Sequence, residues 1–160
     1  MSYALYIGRS LSEAGHSWLA GYGDEPSGHW LQITPGREHP PGATISVGVT
    51  VEAALPGQLS EIPQAARTAR YMGVNYSYYL GALAPLTNGG VNQHGVAVRD
   101  VWSPSRPELV AMTPPDQAGP NYSDLSRIVL ERARTARDGV EIIGALIAEH
   151  GHSSYGGNSH

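Results

Sequence analysis

The chain has 160 residues, enough for one domain with a real core, and a net charge of −4 with no basic run, so nothing in it points to nucleic acid. All ten cations are arginine, which excludes a Walker-type phosphate loop and a Schiff-base lysine within the chain. Cysteine is absent, which excludes disulfides, Cys-based zinc sites and a cysteine nucleophile in these residues.

In chain order, Tyr3 to Gly8 is a short apolar run closed by glycine and reads as a strand. Ser17 to Gly21 and His29 to Ile33 read as two further strands around the turn Gly23-Asp24-Glu25-Pro26-Ser27-Gly28. Thr44 to Val51 alternates β-branched with small residues and predicts a strand. Residues 37–42 and 56–63 read as loops. Tyr71 to Leu83 is tyrosine-rich and has no clear period. Gly90 to Asp100 predicts a hairpin. Residues 103–121 carry five prolines and read as a long loop or lid.

Two helices are expected over about 123–150. Ser123 is an N-cap candidate for the first, with Leu125, Ile128, Val129 and Ala133 on one face. Thr135 with Asp138 forms a capping pattern for the second. Its Val140, Ile143 and Ile147 fall on one face, widened by Ile142 and Leu146, and Gly151 is its C-cap. Strands followed by a packed helix pair predict an α+β layered domain.

Thr87-Asn88-Gly89-Gly90-Val91-Asn92-Gln93-His94-Gly95-Val96-Ala97-Val98 resembles the Gly-(Val/Ile)-Asn-(Glu/Gln)-x-Gly-Val-Ala hairpin of the dipeptidase A and secernin group of N-terminal-nucleophile (Ntn) hydrolases. Further segments are similar in order and spacing: Ala4 to Leu11 to the opening strand, Gly21-Tyr22-Gly23-Asp24 to an Arg-Asn-x-Asp motif, and the Arg37 to Ala43 loop. Leu130 to Arg137 and Tyr155-Gly156-Gly157-Asn158 continue the likeness. The resemblance implies a four-layer αββα sandwich, of which this chain supplies the N-terminal part. It implies amide-bond hydrolysis through an N-terminal nucleophile and an acyl-enzyme, without a cofactor.

Such chemistry needs a nucleophile whose own α-amine is the general base, an oxyanion donor and a carboxylate that orients the amine. By the resemblance, Asn92 would be the oxyanion donor and Asp24 the orienting carboxylate; read from composition alone, both are also ordinary turn residues. The family's nucleophile position aligns with Ser2, which qualifies only if Met1 is removed, because a retained methionine acylates the amine. The alternative nucleophile is residue 161, freed by self-cleavage at Asn158, Ser159 and His160, where the family continues into a core strand. A second, β-type chain from the same precursor would then be the partner. The family's arginine falls at Gly21, a departure from the motif.

Tyr22, Asn75 and Tyr76 are candidates for lining the substrate, since a tyrosine body with a polar tip suits a pocket wall. Tyr71, Tyr76, Tyr78 and Tyr79 read mainly as packing. His150, His152 and His160 could supply imidazoles, but their spacing matches no zinc helix, so no metal is expected. A small peptide or amide is the expected substrate. Two other outcomes remain open: an acyltransferase or amide-forming enzyme on the same scaffold, or a non-catalytic binding homologue. With no apolar run of membrane length and no signal pattern at the start, a cytoplasmic location is the default expectation. All-arginine usage suggests a GC-rich bacterial gene.

Overall fold

The computed structural model describes residues 2–23 and 28–156, and the backbone of 158–159. It is a mixed α+β arrangement of short antiparallel strands and three helices. Strands β1 (Tyr3–Ile7) and β2 (Trp18–Tyr22) form a hairpin with Tyr3 opposite Tyr22 and Ile7 opposite Trp18. Strand β3 (His29–Thr34) does not pair with β2 across the Gly23–Gly28 turn. It joins β8 instead, which places the two expected neighbours in different sheets.

Short β4 (Arg37–Glu38) precedes β5 (Thr44–Gly48), which pairs with β6 (Leu59–Pro63). Residues 56–63 are therefore not all loop. Ile62 is fully buried and drives the pairing, while Pro63, which has no N–H to give a ladder, sits at the strand end where none is needed. Short β7 (Arg67–Thr68) pairs with β4. Strands β8 (Tyr71–Tyr76), β9 (Leu86–Asn92) and β10 (Ala97–Arg99) complete the main sheet, ordered β10-β9-β8-β3. The tyrosine-rich segment thus holds a central strand, its period obscured by a register shift between Gly73 and Asn75.

The proline-rich stretch is not a bare loop. It holds β11 (Ser103–Pro104) and the short helix α1 (Pro107–Ala111), started by proline at its first position. Helix α2 (Tyr122–Arg132) has its N-cap two residues earlier than expected. Its N-cap is Asn121, in a capping box with Asp124, whereas Ser123 lies inside the first turn and its Oγ accepts the Thr87 N–H at 2.8 Å. The cap also locks β5. Asp124 accepts the Gly48 N–H at 2.8 Å, and Asn121 Nδ2 donates to the Gly48 carbonyl at 2.8 Å. Burial pushes the Asp124 carboxyl up, while the Gly48 and Asn121 N–H groups and Arg127 hold it down.

Helix α3 (Ala136–His150) starts from the Thr135–Asp138 box and ends at Gly151, which has φ +78°. Its buried side differs from the expected one. Val140 is 61% exposed and Ile147 is also exposed, while Gly139 and Leu146 are buried and Ile142 and Ile143 pack against the core. Gly139 lies against Val129, and this close contact turns the helix so that its Ile142–Leu146 side faces α2. Strand β12 (Asn158–Ser159) pairs with β11.

Paired residues on neighbouring strands point to the same face. Thr34, Tyr71 and Asn92 form a row on one face of the main sheet, the face covered by α2. Ile33, Met72, Val91 and Ala97 form the adjacent row on the other face, and all four are exposed. One side of the sheet is a closed core and the other is open.

Candidate active-site groove

The β1–β2 hairpin lies over the β10 side of the open face. Between them runs a groove of about 420 Å³. Its floor is Met72, Val74, Val91 and Ala97; its wall is Leu19, Gly21, Tyr22 and Gly23; His29 and Arg99 supply the charge-bearing groups. Alternation along β2 turns Leu19, Gly21 and Gly23 to the same side. The partners of Leu19 and Gly21 on β1 are Tyr6 and Ala4, and Ser2 precedes the paired strand. Its Oγ is buried and makes no hydrogen bond to a described residue.

Two glycines shape this site. Gly89, at φ +124°, lies where a Cβ would stand 2.1 Å from the Val98 carbonyl oxygen, so the Asn88-Gly89-Gly90 stretch can press against β10 only without side chains. Gly21 has a different reason. A Cβ there would fall 2.2 Å from Nε of Arg99, so the Arg99 side chain occupies the space beside β2 that any other residue at position 21 would take.

Arg99 is held from behind. Its Nη1 donates to the Asp100 carboxylate at 2.9 Å and to the Asn88 carbonyl at 3.0 Å. The Asp100 side chain is 5% exposed and that of Arg99 18%. Asn88, fully buried, donates from Nδ2 to Asp100 at 3.4 Å, which leaves its Oδ1 facing His29 Nε2 at 3.1 Å. The His29 ring packs on Tyr76 with centroids 5.8 Å apart.

Behind this network is a cluster of tyrosines. The Tyr76 hydroxyl bonds to those of Tyr122 and Tyr155, joining β8, the start of α2 and the segment after α3. Burial pushes the hydroxyls of Tyr122 and Tyr155 well above the ordinary tyrosine range, so they remain neutral. They act as a tie between elements.

The structure separates the sequence candidates. Tyr22 borders the groove with its ring stacked on Tyr3 along the hairpin's outer row, and Ser2 is not among the groove-lining residues. Asp24 lies outside the described residues, immediately after Gly23 on the groove wall. Asn92 is not an oxyanion donor: both its N–H groups are taken, by the carbonyls of Leu130 at 3.2 Å and Ala133 at 2.7 Å. Its Oδ1 accepts the N–H groups of His94 and Val96, each at 3.0 Å. The residue ties the β9–β10 turn to the end of α2, on the sheet face away from the groove. Asn75 donates to Gln32 at 2.7 Å and Tyr76 belongs to the tyrosine tie; neither lines the groove. Asn158 and Ser159 are known by backbone alone, paired to β11, and His160 is outside the described residues.

Sequence reading missed Asn88, Arg99, Asp100 and His29. The available signal was an adjacent Arg-Asp pair directly after the hairpin, with a glycine where the motif expects arginine. Among the described residues, no group of three His, Cys, Asp or Glu side chains could hold a metal ion. His152 Nδ1 donates to the Pro120 carbonyl at 2.8 Å and closes the loop after α3. No helix of the described residues is long and apolar enough to cross a membrane.

No protein-family model, no curated protein and no solved structure matches this chain.

Proposed function

We propose that this chain is the N-terminal part of an amide-bond hydrolase that works through an N-terminal nucleophile, and that the groove is its substrate site. The observation that carries this reading is the β1–β2 register. It sets Ala4 opposite Gly21 on the groove-facing row, two residues after Ser2, whose Oγ is buried and has no hydrogen-bond partner among the described residues. With Met1 removed, the Ser2 amine takes the proton from its own Oγ. The Oγ attacks the amide carbon, the amine leaves as the C–N bond breaks, and water releases the acyl group. Asp24 orients the amine. The oxyanion donor, no longer Asn92, comes from the groove or from a covering chain. The resemblance to the Ntn hydrolases supports the αββα arrangement in which the hairpin belongs to a second sheet layer.

A second reading, with the nucleophile at the start of a partner chain after His160, is favoured by one observation. The outer row of the hairpin, Tyr3, Leu5, Trp18 and Tyr22, is more than half exposed, which is unusual for so many large apolar groups in a row. A further layer supplied by a β-type chain would bury it.

The test begins with the protein purified from its complete gene. Mass spectrometry of its termini shows whether Ser2 or a residue after His160 is freed. Hydrolysis of a dipeptide and N-acyl amino acid panel is then measured with Ser2→Ala. Loss of turnover with unchanged folding supports Ser2. Turnover that survives Ser2→Ala but is lost when residue 161 is changed to alanine moves the nucleophile to the partner chain. No acyl-enzyme and no hydrolysis in either form overturns the reading.

A further inference from the structure

We propose that a second cavity, on the covered side of the main sheet, binds a phosphate that has kept a proton. The cavity measures about 350 Å³ and lies between α2 and the corner where β3 leads into β4. Thr34 and Tyr71, from the row that faces α2, belong to its wall, so the main sheet separates it from the groove. Arg127 and Glu131 reach it from α2 and are each 9% exposed, which gives it a floor of two buried charges of opposite sign. Arg37, exposed on β4, and the half-buried His39 stand at the rim.

The hydrogen-bonding atoms left over define the ligand. Arg127 donates from Nη2 to Asp124 at 3.2 Å, and its Nη1 stands 3.9 Å from Glu131 Oε1, too far for a hydrogen bond. Arg37 is bonded to Thr68 through its backbone, and its guanidinium makes no hydrogen bond or ion pair with a described residue. Gln32 accepts from Asn75 on Oε1, which leaves its own amide N–H groups to give. Donors therefore outnumber acceptors, and an oxyanion matches them. One acceptor stands among them. Glu131 takes the Gln64 amide on Oε2 at 3.1 Å, and its Oε1 accepts no hydrogen bond from a described residue. A fully deprotonated anion meets repulsion from that oxygen. A hydrogen phosphate turns its O–H toward Oε1 and its remaining oxygens toward Arg127 and Arg37, so the carboxylate selects for the proton.

The test compares three tetrahedral dianions at about pH 8, where inorganic phosphate keeps one proton while sulfate and methyl phosphate, a monoester with its second pKa near about 6, have none. The protein from the complete gene is titrated calorimetrically with each at constant ionic strength. Inorganic phosphate is expected to bind at least about tenfold more tightly than sulfate or methyl phosphate, the worth of one charge-assisted hydrogen bond. Glu131→Gln, whose amide can donate as well as accept, should erase that preference, and Arg37→Gln should weaken all three anions by a similar factor. Arg99→Gln, across the sheet in the groove, should leave phosphate binding unchanged. In the unsubstituted protein, the Arg37 Nε–H resonance should shift with phosphate and less with sulfate, which keeps the test decisive if a variant fails to fold. Equal binding of phosphate and sulfate, a preference retained in folded Glu131→Gln, an unmoved Arg37 resonance, or binding lost in Arg99→Gln would overturn the proposal. Hydrolysis plays no part in these readouts, so the phosphate seat and the hydrolase reading stand or fall separately.

Discussion

The two faces of the main sheet differ in how completely they are covered. On the helix side, Asn92 satisfies four backbone groups, Asp124 and Asn121 lock Gly48, and nearly every residue of α2 is buried. On the open side, Ile33, at 67%, is among several exposed apolar residues. Unsatisfied groups are costly when they serve only stability. They are not confined to the open side, since Asn75 Oδ1 and the Nε atoms of Arg127 and Arg132 are also buried without a hydrogen-bond partner among the described residues. The asparagine that resembled a catalytic donor belongs to the covered side, with both its N–H groups bonded to the end of α2.

Four experiments sharpen or break this contrast. Asn92→Ala should cost the most, about 3 kcal/mol, because two N–H groups and two carbonyls lose their partner in a buried site. Urea denaturation measures it. The folded fraction should keep its specific activity, and a folded variant that had lost turnover would return Asn92 to the site. Asp124→Ala should cost about 2 kcal/mol by freeing the Gly48 and Asn121 N–H groups and Arg127, read as a lower urea midpoint with little change in slope.

The open side should behave oppositely. Ile33→Ser should change the stability of the chain expressed alone by no more than about 0.5 kcal/mol, as at an ordinary surface. The same change should weaken assembly of the complete protein, followed by sedimentation, if a second layer covers that row. A large loss of stability in the lone chain would mean that the face is already part of its core.

The smallest effect concerns pH. Burial holds the His152 imidazole below the ordinary histidine range, while its bond to Pro120 and the charge of Asp124 oppose the shift. The folded pKa is thus lower than the unfolded one, and the unfolded chain takes the proton more readily. The stability contributed by His152 is complete above the unfolded value, about 6.5, and declines as pH falls toward the folded value. Thermal melts between pH 7.5 and 5 should show that slope, and His152→Gln should flatten it.

Much of the fold was legible locally. The strand at residues 3–7, the 90–100 hairpin, the Thr135–Asp138 capping box and the Gly151 terminator follow from short-range rules: alternation, side-chain capping and the left-handed freedom of glycine. The 59–63 strand was hidden between prolines, and β3 pairs with β8 far along the chain, from Thr34 with Tyr71 to His29 with Tyr76. Pairing over such separations is set by which faces bury together, which no window of sequence contains.

The site divides in the same way. The amino-acid sequence by itself determined that no lysine or cysteine chemistry operates here, that Ser2 opens a strand, and that Gly21 departs from an arginine motif. It also determined that Asn92 sits in a tight turn, and a turn asparagine looks alike whether it serves a substrate or a helix end. Only the tertiary structure decided between those roles, by bringing the carbonyls of Leu130 and Ala133 to its amide. It alone brought Arg99 against Gly21, across 78 positions of chain, because the contact depends on the packing of β2 over β10 and on the space a missing Cβ leaves.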